Sequence, residues 1–267
     1  MTPQQVLTNA LRDLEQHGYD SPERVEKWVR ALSIAIERTG IKNDADLKQS
    51  IRASLTPKLH NATSTALRGM GIGRFTKANL SPRLYNELDR RILASTSLIK
   101  LNRTTAINDT LQRFIGWSTS IPIGGGKVDD KVEIKQGIKK ALAQLNYVER
   151  RVVIDQTSKL IANVNNIVAM DGGAIAGIWN SHWKQKNYNY RHNHAERDKK
   201  IYLIRDSWAD KEGLVKPVNG YTDEITSPAE EIYCQCYYQY VFRLERLPKE
   251  MLTKKGQGYL LNRAKIN

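Results

Sequence analysis

Apolar side chains recur at helical spacing through the first 110 or so residues, which predicts a series of amphipathic helices. Three helix starts share one form, a Ser or Thr at the N-cap followed by proline: Thr2-Pro3, Ser21-Pro22 and Ser81-Pro82. The expected helix ends are glycine or proline positions: Gly18, Gly40, Pro57 and the run 69–73. The N-terminal region is therefore predicted to be predominantly helical.

The pattern changes after residue 118. A stretch with Pro122 and the run Gly124 to Gly126 predicts a linker over 119–131, and helical spacing resumes over 132–145 and 148–170. Beyond Gly172, the segments 174–183, 201–204 and 232–242 are rich in strand-forming residues. A loop over 206–229 separates the last two of these segments.

The elements together predict an α+β protein in which a predominantly helical region precedes a small module of helices and antiparallel sheet. The predicted segments are a helical basic region over 1–118, a linker over 119–131, the small module over 132–245 and a basic C-terminal tail over 246–267.

The charge is strongly and unevenly basic. The formal net charge is +14, and the ten Lys and Arg residues from Arg52 to Arg103, opposed by Glu87 and Asp89, contribute +8 of it. Such a stretch attracts polyanions, so we predict contact with nucleic acid or an acidic protein surface. The residues chosen for that contact are Arg68, Arg74, Lys77, Arg83, Arg90 and Arg91. No helix carries a set of base-reading side chains, so the expected DNA binding is non-specific.

The compartment signals are sparse. The N-terminus has neither the charged start nor the apolar core of a signal peptide, and no apolar run reaches the roughly 18 residues of a membrane span. Two cysteines in 267 residues fit a reducing compartment. We therefore expect synthesis in a cytoplasm and no membrane-spanning segment.

Two short segments about forty residues apart carry the most specific chemistry. One contains His192, His194 and Asp198, and the other contains both cysteines of the chain, Cys234 and Cys236. Two thiolates and an imidazole are preferred zinc ligands, which predicts a structural zinc site. His194, Cys234 and Cys236 are the expected ligands, Asp198 supports them, and His192 is the reserve ligand.

Other interpretations of these residues stay open. The cysteines are also compatible with a buried pair acting as small apolar side chains beside surface histidines. His192, His194 and Asp198 around a catalytic ion would instead make a metal-dependent hydrolase or nuclease. The basic stretch alone is compatible with a non-specific DNA-binding protein.

The order of these residues resembles a known family signature. Arg191, His194, Ala195 and Asp198, followed after a Gly- and Pro-rich gap by Cys234 and Cys236, resemble the C-terminal signature of the phage Mu F-like minor head proteins, also called the phage head morphogenesis family. The resemblance covers roughly residues 140–243, including the tryptophans Trp179 and Trp183. It therefore falls within the predicted small module.

The chain departs from the family pattern at three places. The family usually has glycine after the aspartate, where this chain has Lys199, and asparagine before the first cysteine, where it has Tyr233. The Arg-Thr-Glu of the preceding helix is replaced by the run 155–157, Asp-Gln-Thr. The chain therefore resembles a divergent member.

The resemblance implies a structural role without catalysis. Family members are minor components of tailed-phage heads, at the portal or inner capsid, and some are ejected with the DNA. It therefore implies a virion protein that acts in head assembly and DNA packaging, with portal and capsid proteins and packaged double-stranded DNA as partners.

Overall fold

The computed structural model describes residues 1–17, 21–42, 44–71, 76–120, 131–182 and 190–264. The α-helices are α1 (Pro3–His17), α2 (Pro22–Lys42), α3 (Asp44–Gly69), α4 (Thr76–Ser120), α5 (Lys131–Asp171), α6 (His192–Glu196), α7 (Trp208–Lys211) and α8 (Lys254–Ala264). The strands are β1 (Ala176–Asn180), β2 (Ile201–Leu203) and β3 (Tyr237–Val241), and two 3-10 helices span Leu244–Arg246 and Lys249–Met251. This composition confirms the α+β class, with helices first and a small antiparallel sheet after them.

The chain forms two compact units. Unit 1 contains Met1–Ala53 and Ile92–Ile154, and unit 2 contains Ser54–Arg91 and Asp155–Asn267. Each of the long helices α3, α4 and α5 contributes residues to both units. The units therefore combine sequence segments differently from the predicted segments 1–118 and 132–245, and most of the predicted linker, residues 121–130, lies outside the described residues.

Unit 1 is built on an apolar core. The predicted stripe of α1 is buried and packs with residues of α2, α4 and α5; the buried members include Leu7, Leu11, Leu14, Leu32, Phe114, Ile138 and Leu142. The first two of the three predicted N-caps form as expected. Thr2 Oγ1 accepts the Gln5 N–H at 3.2 Å, and Ser21 Oγ accepts the Arg24 N–H at 3.3 Å.

Several helices run further than the sequence signals predict. α3 passes Pro57, and α4 is a single helix that starts at Thr76 and contains Pro82. The expected end at Pro57 and the expected start at Ser81 were therefore wrong. A proline inside a helix costs about 3 kcal/mol, but the buried stripe continues across both prolines, as Leu55 to Leu59 in α3 and Leu80 to Leu84 in α4.

Two other helices also continue where the sequence predicted an end or a break. α2 continues past Gly40 to Lys42, and α5 is one helix where two were predicted. Across the predicted break in α5, the half-buried Leu145 and Val148 continue the apolar face between the buried Leu142 and Val152.

Unit 2 contains a three-stranded antiparallel sheet with β1 in the centre. β1 pairs with β2 through Ala176↔Leu203 and with β3 through Trp179↔Tyr238. Gly177 is required here, because a Cβ at that position would lie 2.8 Å from the Tyr238 ring. Trp179 of β1 is fully buried and belongs to the same packed cluster as Cys234 and Cys236.

The third strand is shorter than predicted. β3 begins at Tyr237, whereas the sequence predicted a strand from residue 232. Ala229 and Tyr233 have left-handed backbones, with φ of 64° and 60°, and a residue in that conformation ends a strand. Cys234 and Cys236 therefore lie in the turn segment before β3, not on a strand.

The segment predicted as a basic tail is folded through its described residues. Leu247, Met251 and Leu252 are buried against the sheet, and α8 follows them. Within the residues that the structure describes, no helix combines the length and hydropathy that crossing a membrane requires.

Candidate metal centre

The structure brings three of the five predicted ligands together. The imidazole of His194 and the thiols of Cys234 and Cys236 place one ligand atom each within 4.8 Å of one another. His194 Nδ1 lies 3.5 Å from Cys234 Sγ and 3.6 Å from Cys236 Sγ. All three side chains are buried, with 1–3% of their surface exposed. We refer to these three residues as the His–Cys–Cys cluster, and their donor atoms are arranged as a group that can hold a metal ion.

Local backbone bonds place His194. The short helix α6 begins after Arg191, whose carbonyl accepts the His194 N–H at 3.0 Å. Its end is fixed by Asp198, whose carboxylate accepts the Ser181 N–H at 2.8 Å, and by the Lys199 N–H, which donates to the Trp179 carbonyl at 2.7 Å. The last two bonds tie the chain after α6 to the end of β1.

Hydrogen-bond donors surround both sulfurs. The Ala229 N–H donates to Cys234 Sγ at 3.4 Å, and the Ser181 hydroxyl lies 3.8 Å from Cys236 Sγ. The Cys234 thiol and then the His182 N–H donate to Cys236, and they lower its pKa against the effect of burial. The pKa of Cys234 is raised, because its proton is held by Cys236 and its thiolate is desolvated. Such an arrangement favours thiolate at Cys236, the form that binds metals.

Trp179 forms one wall of the cluster. Its ring meets the His194 ring edge to face at a centroid distance of 5.2 Å, and the Arg197 guanidinium lies over the indole at 5.1 Å. Its indole N–H is buried and, at a geometry poorer than that of a normal hydrogen bond, interacts with Cys236 and helps to lower the pKa of that thiol. The indole therefore adds to the donors around this sulfur.

Glu231 is a site residue that the sequence did not indicate. One carboxylate oxygen lies 3.3 Å from His194 Nε2, and the other forms an ion pair with Arg191. Because the carboxylate faces Nε2, the opposite nitrogen Nδ1 is directed at the sulfurs, the arrangement that supports metal-bound histidines. Arg191 also donates to the Ile232 carbonyl at 2.9 Å, which fixes the turn that carries Glu231.

Buried polar residues of α5 hold the same turn. Asp155 accepts the Tyr233 N–H at 2.6 Å and binds Lys159 Nζ at 2.8 Å, while Lys159 donates to the Glu231 carbonyl at 3.2 Å. Asp155 and Lys159 were not selected as site residues from the sequence. An aspartate four residues before a lysine is the ordinary pattern of an ion pair on a helix surface, and the sequence does not show that this aspartate is buried.

Two of the predicted ligands lie outside the cluster. His192 is exposed, and its ring packs against Tyr190 at 5.5 Å. Asp198 is half-buried and binds the Ser181 backbone. Among the described residues, neither one joins the group of possible ligands. The triad His192, His194 and Asp198, on which a hydrolase would depend, is therefore not assembled as one site.

The predicted basic contact residues have different surroundings. Arg68 and Arg83 are exposed, and Arg90 is exposed while pairing with Glu87 at 2.8 Å. Arg91 is only 13% exposed, and its guanidinium binds Glu87 and, at 3.3 Å, Gln156. Arg91 therefore supports the packing of unit 2 and is poorly placed for a polyanion.

Four of the sequence predictions concern residues that are not described. Arg74, Trp183 and the glycines 124–126 lie outside the described residues, and Lys77 belongs to α4 with an undescribed side chain.

Comparison with known proteins adds nothing to the site. No protein-family model, curated protein or solved structure matches this chain.

Proposed function

We propose that the His–Cys–Cys cluster is a structural zinc site. Tetrahedral zinc with Zn–S of about 2.3 Å and Zn–N of about 2.0–2.1 Å requires nitrogen–sulfur separations of about 3.5–3.6 Å. The two separations from His194 Nδ1 are 3.5 and 3.6 Å. The donors on both sulfurs and the carboxylate on His194 are the outer contacts that such a site needs.

The burial of the cluster supports a structural role for the ion. With 1–3% of each ligand residue exposed, a substrate has little access to the metal. The three ligands come from α6 and from the turn before β3, and Trp179 of β1 packs against them. An ion bound here would hold the sheet and its two neighbouring segments together.

We further propose that the chain is a minor head protein of a tailed phage. The observation that carries this proposal is that the family signature converges on one structural assembly. His194 meets both cysteines, Arg191 positions Glu231, and Asp198 holds the Ser181 backbone. The polar residues of the signature and both cysteines thus have structural contacts, which fits a family without catalytic activity.

Two departures from the family pattern fit the same proposal. Lys199 and Tyr233 both have left-handed backbones, with φ of 65° and 60°. The residues usual in the family at these positions, glycine and asparagine, are the two that adopt this conformation most easily. The chain therefore keeps the backbone that the pattern requires, although the side chains differ.

The proposed role is assembly at the portal vertex or inner capsid. Portal and capsid proteins are the proposed partners, and the exposed Arg68, Arg83 and Arg90 would lie beside packaged DNA without reading its sequence. The proposed place of action is the virion, and release with the DNA, which the resemblance implies for some members of the family, is compatible with this role.

Purified particles test the head proposal. Nuclease-treated heads of the phage or prophage that encodes the chain should contain it in a few copies per particle, measured by quantitative mass spectrometry. Particles assembled with Cys236→Ser should contain less of it. Intact particles that contain none of the chain would overturn the proposal.

The hydrolase alternative makes an opposite prediction for His192. A structural site predicts that His192→Ala leaves the bound zinc unchanged and that the zinc-loaded protein does not cleave single- or double-stranded DNA. Cleavage that is lost in His192→Ala would instead support a catalytic ion.

A further inference from the structure

A groove lies between the two 3-10 helices and α8 in unit 2. Its volume is about 780 Å³, within the range of about 300–1,000 Å³ usual for ligand sites. Leu252, Leu260 and Leu261 provide its apolar surface. The remaining lining residues are polar or charged: Arg243, Glu245, Lys249, Gln257 and Arg263.

The wall formed by α8 is fixed by close packing. A Cβ at Gly256 would lie 2.1 Å from the Leu214 carbonyl oxygen, so only glycine allows α8 to approach so closely. The Thr253 hydroxyl accepts the Gly256 N–H at 3.1 Å, and Lys255 Nζ donates to the Glu212 carbonyl. Leu252 forms a backbone bridge with Val215. The groove is therefore preformed, which reduces the entropy that binding costs.

One face of α8 presents the contact residues. Gln257, Leu260 and Leu261 have the spacing of a single helical face, and 66% of Leu261 is exposed. Leu260 is half-buried and packs against the core below the sheet, so Leu261 is the main exposed apolar surface of this face.

The charges of the groove select an acidic partner. Arg243, Lys249 and Arg263 line it, and Glu245 is the one acidic side chain among its lining residues. Glu245 pairs with Arg263 at 3.6 Å, which leaves two cationic side chains in excess. Leucines flanked by cations complement a segment that carries leucine-like side chains between carboxylates.

We propose that this groove docks an acidic amphipathic helix of a partner protein. A nucleic acid backbone would use the cations but would leave the apolar surface of Leu261 uncovered, so a protein segment fits the groove better. The inference goes beyond the proposed head function, and it requires no metal in the His–Cys–Cys cluster.

A fluorescent synthetic peptide tests the inference with the full chain. The probe is a short helix with leucines at i, i+3, i+4 and i+7 and glutamates elsewhere, and binding is measured by fluorescence anisotropy. Lys249→Glu and Leu261→Asp should each weaken binding about fivefold or more. Matched controls are Arg246→Glu in the same 3-10 region and Tyr259→Asp on the same helix, since neither residue lines the groove. These controls should stay close to the unchanged protein.

Four results of the binding measurement would overturn the proposal. A peptide with lysines in place of the glutamates binds as tightly as the acidic peptide, or the control variants weaken binding as much as Lys249→Glu and Leu261→Asp do. Alternatively, double-stranded DNA displaces the acidic peptide completely, or the chain does not bind the acidic peptide at all. Self-association that Leu261→Asp abolishes would assign the groove to a second copy of the chain and would also overturn it.

Discussion

Both units of the protein have an apolar core, but only unit 2 adds a polar cluster to it. The core of unit 1 is a set of aliphatic side chains and Phe114 on amphipathic helices. Unit 2 has an apolar core that includes Leu203 and Val241, and beside it Trp179 packs against two cysteines and a histidine, with carboxylates placed around them. The apolar cores are non-directional, whereas the cluster depends on particular atoms in particular places.

This difference teaches where each unit is sensitive to change. An apolar core loses stability in proportion to the buried volume that is removed, and neighbouring side chains partly compensate. A polar cluster fails when one partner is removed, because the remaining groups stay buried without their contacts. Unit 2 should therefore respond to single-atom changes that unit 1 would tolerate.

The largest effect is expected at a cysteine of the cluster. Cys236→Ser should abolish tight zinc binding and expose the amides of β1 and β3 to hydrogen exchange, because structural zinc contributes about 10–16 kcal/mol in small zinc-dependent peptides. Zinc per chain and exchange mass spectrometry measure the two effects. Ser207→Ala, which removes the N-cap of α7 in the same unit, should leave the zinc in place. A serine variant with normal zinc and protection would contradict the metal assignment.

A comparable change in unit 1 should be large but confined to stability. Phe114 is fully buried, so Phe114→Ala should cost about 3–5 kcal/mol, seen as faster amide exchange in α1 and the end of α4. Zinc content should not change. Tyr147→Ala, at an aromatic residue that is 61% exposed, should cost less than about 0.5 kcal/mol and serves as the control. Loss of zinc in Phe114→Ala would break the contrast between the units.

A change of one atom in the carboxylate beside His194 should give an intermediate effect. Glu231→Gln keeps the shape of the side chain but weakens its interaction with His194 Nε2, so zinc affinity should fall by about 10–100-fold. Competition with a chelator measures the affinity. The neighbouring Glu230→Gln is the control, because the Glu230 carboxylate accepts the Ser227 N–H and does not contact His194. Equal affinities of the two variants would remove Glu231 from the site.

The smallest effect is expected from relieving backbone strain. Tyr233 has φ of 60°, where asparagine is more favourable, so Tyr233→Asn should stabilise unit 2 by about 0.5–1 kcal/mol. Tyr237→Asn, at a strand position, should destabilise it by up to about 1 kcal/mol. Chemical denaturation of the zinc-loaded protein compares the two. Destabilisation by both would contradict the strain at Tyr233.

Local signals predicted much of the helical fold. The stripe from Leu7 to Leu14 placed α1 correctly, and Pro22 is the first residue of α2, as the sequence predicted. The signals at Pro57 and Pro82 were misleading, because each local helix break competes with a buried face that extends on both sides of it. A proline is visible in the sequence, whereas the neighbours that stabilise the continuous helix are not.

The candidate site was predicted in part. Residue chemistry and spacing identified His194, Cys234 and Cys236, because few residue types bind soft metals. The sequence placed His194 first and kept His192 as the reserve ligand. The fold separates them, since α6 turns His194 inward and leaves His192 exposed. Glu231 and Asp155 were not identified as site residues, because carboxylates are common on surfaces and only their contacts with His194 and Tyr233 make these two informative.

The sequence by itself determined the helical stripes, the basic balance and the donor atoms available to a metal, because these are properties of residue type and short-range periodicity. The tertiary structure decided the division of α3, α4 and α5 between two units, and it decided which donors meet. The convergence of His194 with Cys234 and Cys236 depends on left-handed residues such as Tyr233 and on bonds between segments distant in sequence. Such bonds form only when the whole chain closes around them, so no local pattern encodes them.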